Sequence, residues 1–236
     1  MLKNKLLFMD FLRKEFKYLL LLLYWPFFGL VFWPMELLPG RIYHPVESVL
    51  DSFIPFCEWF VIPYFIWFVY IIGTMTYLFF KDKTAYVKYM LFVIITYTIT
   101  LVVYAIYPTS QHLRPEVTED GVLFDIIRWL YGYDTNTNVC PSIHVIGSLA
   151  VMFAAIKSES ITSKVIKGVY IVLAVLICAS IVFIKQHSII DLFWGVVVSY
   201  AVYPVVFTNN NISNRLTNLF VTGKTEKCYE ETLIKN

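Results

Sequence analysis

The sequence predicts an all-α integral membrane protein, a bundle of six transmembrane helices, and three observations support this. The 236 residues are 58% hydrophobic and only 15% charged, whereas soluble domains are about a quarter charged. The mean hydropathy is +0.66. Aromatic residues make up 18% of the chain, which suits the belts found at membrane–water interfaces.

Six segments are apolar over roughly the 20 residues that a helix needs to cross the hydrocarbon core. The fourth of them is the shortest. No internal repeat divides the chain, so we treat residues 1–236 as one membrane domain. The six predicted spans are residues 17–34, 54–80, 86–107, 142–157, 165–184 and 187–207.

Three segments outside the spans carry further predictions. Residues 1–16 mix charges with Leu and Phe, which fits either an amphipathic helix in the interface or an extension of the first span. Residues 121–134, within the long connection 108–141, have apolar residues at helical spacing and predict a short helix along the membrane surface. Residues 208–236 form a polar tail.

The distribution of Lys and Arg predicts the orientation. With six spans, one side of the membrane receives both termini and 15 of the 19 basic residues. The positive-inside rule makes that side cytoplasmic, so the connection 108–141 faces outward from a multi-pass protein of the cell membrane. The glycosylation pattern at 211–213 then faces the cytoplasm, and we interpret it as chance. The basic residues on the outer side are Arg41, Arg114, Arg128 and Lys185.

Composition also argues against other classes of protein. The net charge of +2 and the absence of a Lys/Arg-rich run give no reason to expect nucleic-acid binding. The four cysteines are scattered without a CxxC pattern, which fits neither a disulfide framework nor a cysteine metal site.

Polar residues cluster at the outer ends of three predicted spans. The first cluster, YPTSQHLRP (107–115), follows the third span; CPSIHV (140–145) opens the fourth, and KQHSIID (185–191) opens the sixth. Although far apart in sequence, all three fall on the same side of the membrane in the predicted topology. Their candidate functional side chains are Arg114 in the first, Ser142 and His144 in the second, and Lys185, His187 and Asp191 in the third.

The two histidines suggest nucleophilic chemistry. Asp191 follows His187 by four residues, so on a helix the two side chains share a face. The carboxylate can keep one imidazole nitrogen protonated and leave the other free to attack. His144 is then the candidate general acid for the leaving oxygen. A zinc site built from these same three side chains is a less favoured alternative.

The remaining residues suggest an anion site. Pro141 suits the first turn of a helix, whose free N–H groups cradle phosphate, and the Ser142 hydroxyl lies beside them. Ser142 is equally suited to serve only as a helix N-cap. Arg114 offers a planar fork that matches phosphate oxygens, and Lys185 adds a point charge; both also suit simple anchoring at the headgroups.

These motifs resemble those of the type-2 phosphatidic acid phosphatase superfamily, whose pattern is KxxxxxxRP, PSGH and SRxxxxxHxxxD. Here they read YPTSQHLRP, PSIH and SIVFIKQHSIID, across residues 107–191. The resemblance implies a six-helix core, attack by His187, proton donation by His144 and a phosphohistidine intermediate, with neither metal nor cofactor. It implies hydrolysis of a lipid phosphate or pyrophosphate among the membrane lipids, and the predicted topology puts this reaction at the outer face.

Three positions depart from the family pattern: Tyr107 replaces the first-motif lysine, Ile143 the glycine of PSGH, and Ile181 the third-motif arginine. Lys185 is a candidate replacement for one of the two missing cations. CPSIHV with KQHxxxD is similar to the branch of inositol-phosphorylceramide and sphingomyelin synthases, so transfer of a lipid head group is the alternative to hydrolysis. A non-catalytic lipid-binding or transport protein is the third hypothesis.

Two other polar residues lie near these motifs. His112 stands close to Arg114 but fits no motif position, and we interpret it as a solvated loop residue. Glu58 lies near the outer end of the second span, where a functional role and simple snorkelling to the interface are equally reasonable.

Overall fold

The structure, a computed structural model, describes residues 15–36, 38, 40–208, 213–215, 217 and 220. The predictions for residues 1–14, for the glycosylation pattern and for most of the tail therefore lie outside the described residues. The described part is mostly helical. Its helices are α1 (Glu15–Glu36), α2 (Val61–Lys81), α3 (Lys83–Ile106), α4 (Val122–Tyr133), α5 (Ile143–Lys157), α6 (Lys164–Phe183) and α7 (Ile189–Tyr203).

Short elements complete the connections. The 3₁₀ helices Val49–Phe53 and Glu58–Phe60 precede α2, and a π-helical turn, Pro204–Thr208, continues α7. Strands β1 (His44–Pro45) and β2 (Thr109–Ser110) pair in parallel, with His44 opposite Thr109. This pairing joins the loop before α2 to the loop after α3.

Each of the six predicted apolar segments contains a helix, and five helices of the described chain are long and apolar enough to cross a membrane. The sixth, α5, has 15 residues and is therefore about 22 Å long, short of the roughly 30 Å hydrocarbon core. It lies in the middle of the bundle, against α2, α3, α6 and α7. Protein surrounds α5, so a helix shorter than the bilayer is tolerated there.

Small residues let the neighbouring helices approach the α5 backbone closely, as in other helix pairs within membranes. A Cβ atom on Gly147 would lie 2.7 Å from the Tyr97 hydroxyl of α3 and 3.2 Å from Trp67 of α2. A Cβ atom on Gly195 of α7 would lie 2.9 Å from the Cβ of Val145. These contacts fix the start of α5, which carries His144, against α2 and α7.

Helix α1 is interrupted by a turn at Leu23. Pro26 follows three residues later and has no N–H, so the carbonyl of Leu22 loses its usual helical donor. At the same turn, the amide of Leu23 donates to the carbonyl of Leu20 at 3.1 Å, in the tighter i→i−3 pattern. The turn leaves Trp25 on the side of α1 that contacts Tyr97, with ring centroids 5.7 Å apart.

The short helix predicted for residues 121–134 is confirmed as α4. It buries Ile127 and Leu130 against the bundle and exposes Trp129 and Tyr133. It contacts α2 and the turn that precedes α2. Since it lies within the 108–141 connection, α4 stands beside the helix ends that carry the motif clusters.

Candidate functional site

The three motif clusters meet at one end of the bundle, which we call the motif end. The side-chain amide of Gln111 donates to the carbonyls of Lys185 and Gln186 at 3.1 and 3.2 Å, which joins the first cluster to the third. The backbone amide of Ser142 donates to the carbonyl of Asp191 at 3.1 Å, which joins the second cluster to the third. These bonds bring together three clusters that are far apart in sequence.

His187 and Asp191 form the predicted pair at the start of α7. The Nδ1 atom of His187 lies 3.2 Å from Oδ2 of Asp191, which is fully buried. The same carboxylate accepts from the backbone amide of Ser188 at 2.9 Å, in a capping box that begins the helix. A carboxylate only accepts, so the bond to Asp191 requires the proton to be on Nδ1 of a neutral imidazole, which leaves the lone pair on Nε2.

The backbone before α7 fixes the position of this histidine. The carbonyl of Ile181 accepts from the amides of Gln186 and His187 at 2.9 and 3.0 Å. Ile181, at the family's arginine position, is fully buried in the core. Its side chain therefore packs in the bundle, while its carbonyl holds the loop that carries His187.

His144 faces His187 across the site, with ring centroids 5.6 Å apart and the rings at 66° to each other. Its imidazole packs against Tyr64 and Trp67 of α2 at centroid distances of 4.7 and 4.4 Å. His144 is 7% exposed, and among the described residues its Nδ1 has no hydrogen-bond partner. A ligand that entered between the two imidazole rings would contact both of them.

Ser142 is the N-cap residue of α5 but makes no side-chain cap. Its hydroxyl is fully buried, and no described residue pairs with it. A buried hydroxyl without a partner costs about 1–3 kcal/mol, so such groups normally serve a ligand or a water molecule. The geometry does not support the capping interpretation of Ser142, and contact with an anion stays a prediction.

The guanidinium of Arg114 uses most of its donors in hydrogen bonds to other groups of the protein. Its guanidinium donates to the carbonyls of Tyr131, Asp134 and Thr135 at 3.2, 2.9 and 2.8 Å. It also donates to the side-chain oxygen Oε1 of Gln186. Only Nε lacks a partner among the described residues. Arg114 thus fixes the loop after α4 and the orientation of Gln186.

Gln186 is a site residue that the sequence interpretation missed. An arginine has no acceptor, so the bond from Arg114 requires the carbonyl oxygen of the Gln186 amide to face it and the NH₂ group to face away. That Nε2 is buried, and no described residue accepts from it. Gln186 directly precedes His187, so this buried donor belongs to the same short loop as the predicted nucleophile.

Replacing Gln186 by Glu should lower activity without lowering the stability of the protein. The new carboxylate accepts from Arg114 in a charge-assisted bond, so thermal stability should be kept or raised. If the protein has the phosphatase activity that the motif resemblance implies, losing this donor and adding a negative charge on the loop of His187 should lower kcat/KM for a phosphorylated lipid about 10²–10³-fold. Phosphate-release kinetics and a melting curve on the same preparation measure both effects.

A matched control for that substitution is Gln186→Met, which has a similar length but neither donor nor acceptor. It should lower stability as well as activity, because Arg114 loses its acceptor. Wild-type turnover in Gln186→Glu would contradict a phosphate-binding role for this amide.

Lys185 binds a loop of the protein. Its Nζ donates to the carbonyls of Asp51 and Ile54 at 2.9 and 2.5 Å, and burial lowers its pKa. The same loop accepts from α7, since the Asp51 carboxylate receives bonds from the Ser188 hydroxyl at 2.7 Å and the Ile189 amide at 2.8 Å. Lys185 has a φ of 53°, a left-handed conformation that is uncommon for a side chain of this type. Two of its three N–H donors are thus used in holding the loop 49–54.

Asp134 is a second residue that the sequence interpretation missed. Its Oδ2 accepts from the Tyr64 hydroxyl at 3.3 Å. Burial raises the pKa of Asp134, while the neighbouring His187 and Arg114 act in the opposite direction. The adjoining loop is tied to α1, because Glu36 accepts from Asn138 at 2.7 Å. An acidic group therefore stands beside the cationic and histidine side chains.

The other sequence-predicted positions lie at the edge of the site. His112 has a side chain 64% exposed and pairs with Glu47 at 3.3 Å, as expected of a solvated loop residue. Tyr107, at the family's lysine position, is half exposed and stacks on His44 at 4.2 Å. Glu58 begins the turn before α2. The described residues contain no group of three His, Cys, Asp or Glu side chains placed to hold a metal ion.

No family model, curated protein or solved structure matches this chain.

Proposed function

We propose that this chain is a membrane lipid phosphatase of the type-2 phosphatidic acid phosphatase kind, which hydrolyses a lipid phosphate or pyrophosphate without a metal ion. The observation that carries the proposal is the arrangement of His187, oriented by Asp191 at 3.2 Å and faced by His144 at 5.6 Å between ring centroids. It supplies a nucleophile, an orienting carboxylate and a proton donor within one buried site.

The reaction proceeds in two displacements. The Nε2 atom of His187 attacks phosphorus, the bond from phosphorus to the lipid oxygen breaks, and His144 gives a proton to the departing oxygen. Water then attacks the phosphohistidine, gives a proton back to His144, and phosphate leaves with the bond to Nε2 broken. Asp191 holds the Nδ1 proton throughout and stabilises the charge that the ring acquires.

Buried donors stabilise the phosphoryl oxygens. Ser142 and Gln186 each present a polar atom without a partner among the described residues, and the first turn of α5 adds its free N–H groups. Phosphate-ester hydrolysis needs a barrier reduction of roughly 20 kcal/mol or more. A general acid contributes about 10²–10⁴-fold, so the donors and the nucleophile must supply most of the remainder.

The membrane arrangement is also part of the proposal. The five long helices and the short, enclosed α5 together form the six-span bundle. The excess of Lys and Arg on the opposite side supports an outer-face position for the motif end. The substrate is then a lipid whose phosphate enters the site from the outer leaflet.

The proposal is tested by phosphate release from purified protein. Phosphatidate-like or polyprenyl-pyrophosphate substrates should be hydrolysed without added metal. Vanadate should inhibit, because it mimics pentacoordinate phosphorus bound to His187, and EDTA should have no effect. Loss of turnover in EDTA, with recovery on adding zinc, would contradict the metal-free mechanism. No release from any substrate of either class would contradict the phosphatase itself.

Transfer of a lipid head group is the second candidate, and Asp134 is the observation that favours it. A carboxylate beside His187 repels the charges of a phosphate monoester but complements a head group that carries an amine. Phospholipids with and without an amine, each incubated with and without a diacylglycerol- or ceramide-like acceptor, distinguish the two reactions. Acceptor-dependent head-group transfer from the amine-bearing lipid would establish the transferase, whereas free phosphate from phosphatidate alone, at the same rate with and without acceptor, would establish the phosphatase.

A further inference from the structure

The loop 49–54 contacts the chain on both sides of His187. It lies between β1 and α2. Before His187, the Lys185 ammonium donates to two backbone carbonyls of this loop. After His187, the Ser188 hydroxyl and the Ile189 amide both donate to a carboxylate of the same loop. The short stretch that carries the predicted nucleophile is therefore attached at both ends to a single loop.

The carboxylate that receives the second pair of bonds belongs to Asp51, and both of its oxygens are used. Its Oδ2 accepts from the Ser188 hydroxyl at 2.7 Å and from the Ser48 amide at 2.8 Å. Its Oδ1 accepts from the Ile189 amide at 2.8 Å. Because Asp51 is only 3% exposed, water does not compete for these bonds. Asp51 therefore fixes the start of α7 from a position 137 residues away in the sequence.

Ser188 connects Asp51 to the pair formed by His187 and Asp191. Its hydroxyl has one proton, which it donates to Asp51, and its lone pairs accept from the Ile190 amide at 3.1 Å. Its backbone amide donates to Oδ2 of Asp191 at 2.9 Å, and the same oxygen lies 3.2 Å from Nδ1 of His187. A displacement of Ser188 therefore moves the acceptor that holds the imidazole of His187.

The N–H groups that begin α7 are paired with acceptors of the protein. The amides at positions 189 and 190 donate to the Asp51 carboxylate and to the Ser188 hydroxyl. Those of Asp191 and Leu192 donate to the Ser188 carbonyl at 3.1 and 3.3 Å. A negative charge is favourable at a helix N-terminus. Here the protein supplies that charge itself, so the start of α7 holds side chains, whereas the start of α5 is the one proposed to face phosphate.

We propose that Asp51 is a positioning residue for the nucleophile. It fixes Ser188 and the start of α7, so that Asp191 keeps the proton on Nδ1 of His187 and Nε2 stays directed at phosphorus. This inference rests on the proposed function. Misplacement of a reacting group by about 1 Å can cost about 10²-fold in rate. Loss of Asp51 should therefore affect kcat more than KM, because the donors proposed to bind phosphate are unchanged.

The first test is Asp51→Asn, which keeps the shape of the side chain but has one acceptor oxygen instead of two. Its NH₂ group must face a donor on one side or the other, so one bond to the start of α7 or to Ser48 is lost. The value of kcat for phosphate release should fall about 10–100-fold, with KM changed less than about threefold. A kcat within about twofold of wild type, or a loss found only in KM, would overturn the positioning role.

The matched control is Asp125→Asn, which makes the same chemical change at the motif end. The Asp125 side chain is 67% exposed and pairs with Arg128 on its own helix. Both kcat and KM should stay within about twofold of wild type, as for most surface substitutions. A loss equal to that of Asp51→Asn would mean that removal of any negative charge at this end lowers the rate, and would overturn the role assigned to Asp51.

Ser188→Ala tests whether Asp51 acts through Ser188, because it removes the hydroxyl that joins the two. The single variants should each lower kcat about tenfold or more, and the double variant should stay within about twofold of the slower single variant. Losses that multiply would show that the two residues act separately and would overturn the proposal. If melting curves show that Asp51→Asn does not fold, wild-type kcat in Ser188→Ala would overturn it as well.

The protonation of His187 gives a measurement that does not depend on turnover. The chain has four histidines, so the imidazole signals of protein labelled with ¹⁵N-histidine can be assigned with the help of His187→Ala. Wild type and Asp125→Asn should show the proton on Nδ1 of His187, and Asp51→Asn should show a larger fraction on Nε2. That shift in a protein that hydrolyses no phosphorylated lipid would support the positioning role and refute the phosphatase. Turnover with an unchanged tautomer in Asp51→Asn would overturn the positioning role alone.

Discussion

Replacing His187 by alanine should lower the rate of phosphate release by about 10⁴-fold or more. Without the nucleophile, the other residues of the site have no first displacement to assist. The fold should persist, because Asp191 keeps its bond from the Ser188 amide at 2.9 Å and the cap of α7 remains. The measurement is steady-state phosphate release by the purified variant, with its melting temperature as the check on folding.

The matched control is His112→Ala. This histidine lies in the first motif, but its side chain is 64% exposed and pairs with Glu47 on a neighbouring loop. Its replacement should leave turnover within about twofold of wild type, as for most surface substitutions. Activity of His187→Ala within tenfold of wild type would refute a nucleophilic role for His187.

Loss of His144 should depend on the leaving group. On phosphatidate the departing alkoxide needs a proton, so replacement of His144 should cost about 10²–10⁴-fold in kcat. On p-nitrophenyl phosphate the departing phenolate is stable without one, and the loss should be much smaller. The ratio of the two losses, measured on one preparation, reports proton donation directly.

Packing must be controlled in that experiment, because the His144 ring contacts Tyr64 at 4.7 Å and Trp67 at 4.4 Å. His144→Phe keeps an aromatic ring in this place, whereas His144→Ala leaves a cavity. Both variants should show the same dependence on the leaving group. Equal losses on the two substrates in His144→Phe would mean that His144 is not the general acid.

The sequence was sufficient for features that depend on neighbours along the chain. Hydropathy located the helices, helical spacing located α4, and the i,i+4 relation placed Asp191 against His187. These predictions rest on periodicity and on local hydrogen bonding, which a single segment determines. The meeting of the three clusters also followed from topology, because helix ends on one side of a bundle are neighbours.

Features that depend on distant contacts were beyond the sequence. Gln186 is oriented by Arg114, 72 positions away, and nothing in the third motif signals that pairing. Arg114 was predicted to clamp phosphate, but three backbone carbonyls take most of its donors. The direction of Lys185 depends on a left-handed backbone and on carbonyls of the loop 49–54.

The short length of α5 is another feature that depends on distant contacts. A hydropathy window evaluates a helix as though lipid surrounded it, and 142–157 is a weak span by that measure. In the fold 11 of the 15 residues of α5 are buried by other helices, so the required length is set by protein contacts instead. Asp134 escaped notice because it lies outside every motif and reaches the site only through the loop after α4.

Capture of the phosphorylated protein is the most direct test of the proposed chemistry. The protein is mixed briefly with phosphatidate, quenched in alkali to preserve the phosphorus–nitrogen bond, and mapped by peptide mass spectrometry. We expect a phosphoryl group on His187 that forms and decays as fast as turnover and is absent from His187→Ala. Full turnover with an unmodified His187, or with the phosphoryl group on another residue, would contradict the mechanism.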